Sequence, residues 1–221
     1  MTTPEHTLVG IHLALACGLH SRYGWPLLVG AGVASNLPDW DGLPMLLDMQ
    51  RYESGHRVWG HNVFSILIGS AVLAWTQCRW RWIERCSASV ARWLPSARIK
   101  TERMVSDGAE ATPPQVAKFV HGPGQWQIWF VMALIAQLIH LPCDMVVSSG
   151  RGLTDWPIQP FWPISTTSWV YPLIPWGDVG PTVILMLGCI IAAQQRLRTT
   201  LVSSCTLAGL IIYLAARGNV W

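Results

Sequence analysis

Residues 126–147 read WQIWFVMALIAQLIHLPCDMVV. A bilayer core needs about 20 apolar residues when they are helical, so this stretch is long enough to cross one. It ends in a histidine and an aspartate four positions apart, His140 and Asp144. Ionisable groups in a membrane segment are costly and mark function by default. At i and i+4 the two share one helical face, where a cation fits between them.

Composition agrees with a membrane setting. Of 221 residues, 51% are hydrophobic and 12% charged, against about 25% charged in a soluble domain, and the mean hydropathy is +0.33. The expected fold is all-α, a polytopic membrane helical bundle of four to six apolar helices forming a single domain over residues 1–221. Apolar segments fall at 7–20, 25–37, 61–77, 126–147, 182–195 and 199–216. The first two are short, carry Gly18, Gly24, Pro26 and Gly30, and read as a short N-terminal helical hairpin; interrupted segments of this kind often line a site. Residues 95–125 read as a flexible arm. The N-terminus lacks a basic region and a cleavage site, so no removable signal peptide is expected. The six cysteines form no CxxC pair and read as small buried hydrophobes.

Between residues 78 and 125 stand eight basic residues: Arg79, Arg81, Arg85, Arg92, Arg98, Lys100, Arg103 and Lys118. The turn at 196–198 adds Arg196 and Arg198. With alternating segments these connections share one side, cytoplasmic by the positive-inside rule. Tryptophans 40, 59, 156, 162, 169 and 176 then suit one interfacial belt, and 75, 80, 82, 126 and 129 the other.

This topology collects the metal-loving residues on the non-cytoplasmic face. His6 precedes the first segment, Asp39 and Asp41 follow the second in SNLPDWDGLP, His56 and His61 open the third in GHRVWGH, and His140 and Asp144 close the fourth. Imidazoles and carboxylates together form the usual set for zinc and similar ions. His12 reads as a satisfied histidine on an apolar face, while His20 and His121 lie elsewhere.

The order of a histidine before an apolar helix, LPDWD, HRVWGH, and HLPCD followed by WPIQPFWPIS resembles the YdjM family of bacterial inner-membrane proteins, read as metal-dependent hydrolases, over about residues 1–165. The ligand order is similar to that of the zinc-dependent phospholipase C and single-strand nuclease group. The resemblance implies His6, Asp39, His56, His61, His140 and Asp144 as metal ligands, with Asp41 a ligand or an outer carboxylate. The chain departs from the family pattern at Val58, Gly60 and Asn62, where glycine, threonine and serine are usual, and at Pro142 between His140 and Asp144.

The expected function is that of a membrane-bound hydrolase of phosphoester or lipid-linked substrates. One to three divalent ions, zinc first, would activate a water, with Asp41 taking its proton and Arg57 pairing with a phosphate oxygen. The expected partners are the lipid bilayer and an amphiphilic or phosphorylated small molecule, and not nucleic acid, because the basic residues are juxtamembrane. Absent HExxH and GxSxG patterns disfavour a zincin-type peptidase and a serine hydrolase. A structural metal site and a metal-ion transporter are the alternatives. The transporter needs charge deep in the last two segments, which carry none.

Overall fold

The structure is a computed structural model that describes residues 1–48, 50, 55–86, 124–148, 155–195 and 198–218. The arm expected at 95–125 lies outside the described residues except for its last two. Among the described residues the chain is all helical, without a strand. Its α-helices are α1 (Thr3–Ala16), α2 (Leu19–Tyr23), α3 (Trp25–Ala34), α4 (Val63–Trp80), α5 (Gln125–Val146), α6 (Val179–Gln194) and α7 (Thr199–Gly218), with a 3-10 helix at Leu37–Leu46 between α3 and α4.

Each apolar segment read from the sequence is helical, but they differ in reach. Two described helices are long and apolar enough to cross a bilayer, α5 with 22 residues and α7 with 20, at mean hydropathies of 1.6 and 1.7. At about 1.5 Å per residue each matches a hydrocarbon core of about 30 Å. Helices α3 and α6 are apolar but shorter. The α7 window is only 11% buried inside the protein, so most of its apolar surface faces outward.

Helix α1 sits centrally, against α3 on one side and α6 and α7 on the other, while α5 packs on α3 and α4. Small residues permit the close approach that drives helix association in lipid. A Cβ at Gly10 of α1 would stand 2.6 Å from the Ala31 carbonyl oxygen of α3, so that crossing admits nothing larger than glycine. One apolar core joins α1, α3, α4 and α5 through Leu15, Leu27, Leu73 and Trp129. A second joins α1, α6 and α7 through Val9, Leu185 and Leu210. Trp129, expected in an interfacial belt, is 0% exposed in the first core. Trp75, Trp80 and Trp126 are exposed, as belt residues should be.

Among the polar side chains inside the bundle, His12 and Gln137 are hydrogen-bonded across helices. His12 is fully buried, with Nδ1 3.1 Å from the Ser203 hydroxyl and Nε2 donating to the Leu185 carbonyl at 3.0 Å. It ties α1 to α6 and α7, as a satisfied histidine should.

Chain direction positions the site. The start of α1, the end of α3, the start of α4 and the end of α5 meet at one end of the bundle, where the loop 155–178 folds over them. Isolated bridges between Val147 and Ile174 and between Ile158 and Trp169 hold that loop in place.

Candidate metal centre

Asp39, His61, His140 and Asp144 converge, offering ligand atoms that all lie within 4.8 Å of one another. Asp39 comes from the 3-10 helix, His61 from the turn that enters α4, and the other two from the last turns of α5. Helix α5 runs through Pro142 to Val146, so the proline does not separate its pair: His140 Nε2 is 3.4 Å from Asp144 Oδ2. His61 Nε2 stands 3.2 Å from Asp144 Oδ2 and 3.5 Å from Asp39 Oδ1. His140 Nε2 is 3.4 Å from Asp39 Oδ1 and 3.0 Å from His61 Nε2.

These separations fit an ion. Four ligands at the bond lengths of zinc, about 2.0–2.1 Å, stand about 3.3–3.4 Å apart in a tetrahedron. The five distances above run from 3.0 to 3.5 Å. The ring tautomers point the same way. His61 Nδ1 donates to Asp41 Oδ2 at 2.9 Å, and His140 Nδ1 donates to the Ser35 carbonyl at 2.7 Å. Each ring therefore turns its Nε2 toward the other, where it offers a lone pair to an ion whenever the ring is neutral. Two imidazole Nε2 atoms and two carboxylates facing one another in a largely buried space form a donor set that could hold a cation.

The surrounding residues orient this set, as outer hydrogen bonds do around metal-ligating histidines. Asp41 is fully buried, with Oδ2 accepting from His61 and from the Gly60 amide at 2.9 Å, and Oδ1 3.1 Å from His56 Nδ1. Burial raises the Asp41 carboxyl, but hydrogen bonds to His56 and His61 outweigh this and hold it below the usual carboxylate range. At Asp39 burial acts likewise and is more than offset by hydrogen bonds with His140 and His61, so the carboxyl is lowered. Burial opposes the charged ring of His61, yet its bonds to Asp144, Asp39 and Asp41 prevail and push it well above the ordinary histidine value.

The remaining expected residues are placed around this core. His6 stacks on His140 with ring centroids 3.7 Å apart, and its Nε2 is 3.0 Å from Asp144 Oδ1. The Met1 amino group donates to the same oxygen at 2.5 Å. His56 faces Asp41 and not the four-residue cluster. Arg57, 3% exposed, donates through one amino group to the carbonyls of Asp144 and Trp156, both at 2.9 Å, and lies over the Trp156 ring. Its φ of 62° turns it back under the loop. Its guanidinium thereby anchors the end of α5 and is spent on protein groups, where a free face toward phosphate was expected.

The departures from the family pattern have local reasons. A Cβ at Gly60 would lie 1.9 Å from the Pro38 carbonyl oxygen, so this backbone has no room for threonine. Asn62 caps α4, accepting from the Ser65 amide at 2.9 Å, the role for which asparagine is favoured. Ser35 was not legible as a site residue: it acts through its backbone carbonyl, and its hydroxyl donates to the His6 carbonyl at 2.7 Å. No side-chain pattern signals a carbonyl.

Fold and site together describe a helical chain with membrane-length apolar helices and a largely buried His2Asp2 cluster that could hold a metal ion. The chain belongs to the YdjM inner membrane protein family, which it matches over residues 1–220. The match extends past residue 165, so α6 and α7 are part of the family's own architecture. No curated protein and no solved structure matches it.

Proposed function

We propose that the protein is a membrane-bound metal-dependent hydrolase, acting on phosphoester or lipid-linked substrates. The observation that carries this reading is the convergence of two imidazole Nε2 atoms and two carboxylates, five of whose separations run from 3.0 to 3.5 Å, with no other nucleophile pattern in the chain. Asp39, His61, His140 and Asp144 would hold the ion, zinc by ligand type. A divalent ion bound there supplies Lewis-acid polarisation of a phosphoryl or acyl oxygen and acidifies water. The chain's own residues hold the rings in the required tautomers through Asp41 and Ser35, and exclude water, since His61 and His140 are 0% exposed. Asp39, with a side chain 26% exposed, is the ligand that reaches the surface, so a substrate approaches on its side. His6, beside Asp144, extends the donor set toward a further ion.

One observation favours a second reading. Four protein ligands close a tetrahedron, which is typical of structural sites, whereas catalytic ones keep a position open. Elemental analysis of the purified protein, followed by a phosphoester screen in detergent, separates the two. The expected result is about one divalent ion per chain and hydrolysis that chelation abolishes and zinc restores. Hydrolysis that survives chelation, or a metal-replete protein inactive on every phosphoester, would leave the structural reading.

We further infer that α4 and α6 cross the inner membrane with α5 and α7, the cluster facing away from the cytoplasm and the 78–125 connection facing it. The eight basic residues of that connection support this orientation. A cysteine placed near residue 110 should resist an impermeant reagent added to intact cells, and its ready modification would reverse the orientation.

A further inference from the structure

We propose that the 3-10 helix Leu37–Leu46 and the residue after it form an apolar lip seated in the bilayer surface, which holds a phospholipid with its headgroup at the metal cluster. The site then draws on the membrane and not on solution. Turnover of that lipid rests on the hydrolase reading above; its binding does not.

The lip is built from one short stretch. Asp39, the ligand that reaches the surface, begins it, and within eight residues it presents Trp40 at 48% exposure, Leu43 at 62%, Leu46 at 76% and Leu47 at 93%. Isolated exposed leucines are ordinary, but a contiguous run beside a buried polar site marks an interaction surface. A second stretch, distant in sequence, repeats the pattern at the same end of the bundle, with Ile164 at 80% and Tyr171 at 68% exposure. Backbone bonds from the Tyr171 amide to Met145 and from the Leu173 amide to Val146 fix that loop on the last turn of α5.

Depth decides what covers these side chains. His140 and Asp144 sit in the final turns of a 22-residue helix that is long and apolar enough to cross the bilayer. The cluster is therefore at the boundary between hydrocarbon and headgroups, and apolar side chains emerging there meet lipid. A 3-10 helix rises about 2.0 Å per residue, which carries Leu46 about 14 Å from Asp39. This is the separation an amphiphile provides between a polar head and its acyl chains. An ion held by the cluster would be the complement to a phosphate at its exposed edge, Asp39, while Trp40, Leu43, Leu46 and Leu47 of the lip offer apolar contacts and an indole. Tryptophan at headgroup depth is the usual interfacial anchor.

The full chain in nanodiscs of phosphatidylethanolamine and phosphatidylglycerol, doped with a phospholipid carrying a diazirine in its headgroup, tests this. After illumination and digestion, the label is expected on residues 37–47. Leu43→Ser, Leu46→Ser and Leu47→Ser together should lower it at least about tenfold, since each leucine gives up part of its transfer free energy to lipid. Ile190→Ser on the outer face of α6 should leave it unchanged. If the triple variant fails to fold, Leu47→Ser alone, at the most exposed position, should lower the label severalfold. Labelling confined to other segments, or labelling of 37–47 that these variants do not alter, overturns the lip. Labelling as expected without hydrolysis of any phosphoester would overturn the hydrolase reading and leave the lip standing. Hydrolysis of soluble esters without labelling of 37–47 would do the reverse.

Discussion

Asp144→Asn is expected to empty the cluster of metal while leaving the helices in place, and Asp144→Ala to empty it and destabilise the fold. Asp144 is 2% exposed and gathers more of the site than any other residue. Oδ1 meets His6 and the Met1 amine, Oδ2 meets His61 and His140, and Arg57 approaches Oδ2 at 3.5 Å. Asparagine keeps the shape but turns an anion into a neutral amide. The site then offers one carboxylate fewer to a divalent ion, and an N–H2 group would point at an Nε2 or a cation. Alanine also leaves the neighbouring cationic groups buried without their partner, which in comparable buried pairs costs about 3–5 kcal/mol. Elemental analysis should show metal falling from about one ion per chain to nearly none in both variants, and thermal unfolding should separate them. An asparagine variant with a full metal load would remove Asp144 from the ligand set.

The sequence disclosed most of this cluster because its chemistry conflicts with its setting. A histidine and an aspartate at i and i+4 in an apolar run need a reason, and His140 and Asp144 meet as that spacing requires. Asp39 and His61 were legible only in company. Each alone is turn-like, and what singles them out is that alternating segments return to one level. Spacing alone did not separate Asp39 from Asp41; the family resemblance did, by implying Asp39 as a ligand and leaving Asp41 a ligand or an outer carboxylate, and in the structure Asp41 faces His56, His61 and the Gly60 amide. Arg57 reads as a phosphate-binding cation beside His56, yet its positive φ folds it onto backbone carbonyls, a local conformation that composition does not signal. Trp129 shows the same limit. Tryptophan near a helix start suits a belt or a core equally, and the close approach of Gly30, whose Cβ would stand 2.3 Å from the Trp129 ring, settles it for the core. A membrane-length helix was legible at α5 by length alone, whereas the apolar lengths of α4 and α6 serve a buried helix as well.

Asp41→Asn is expected to weaken zinc binding about 10–100-fold, the range for loss of an outer hydrogen-bond partner of a metal-ligating histidine. Both Asp41 oxygens are committed, Oδ2 to His61 and the Gly60 amide and Oδ1 to His56. The carboxylate is thus a positioning group that fixes the His61 tautomer and makes its Nε2 a better donor. Asparagine has one acceptor oxygen. Kept toward His61 and Gly60, it preserves the ring's direction but removes the charge that polarises it, and its N–H2 turns on His56 Nδ1. His56, with a side chain 23% exposed, can turn or switch tautomer, whereas His61, fully enclosed, cannot. The loss therefore falls on affinity through His61, and His56→Ala should change affinity little. A competition titration against a chromophoric chelator measures this directly and does not depend on any substrate. If Asp41 instead took a proton during hydrolysis, Asp41→Asn would keep its zinc affinity and lose rate alone, by about 10²–10⁴-fold. The oxygen that would accept that proton is already occupied by His56, so the expected outcome is weakened binding, with any loss of rate at low zinc recovered when zinc is supplied in excess.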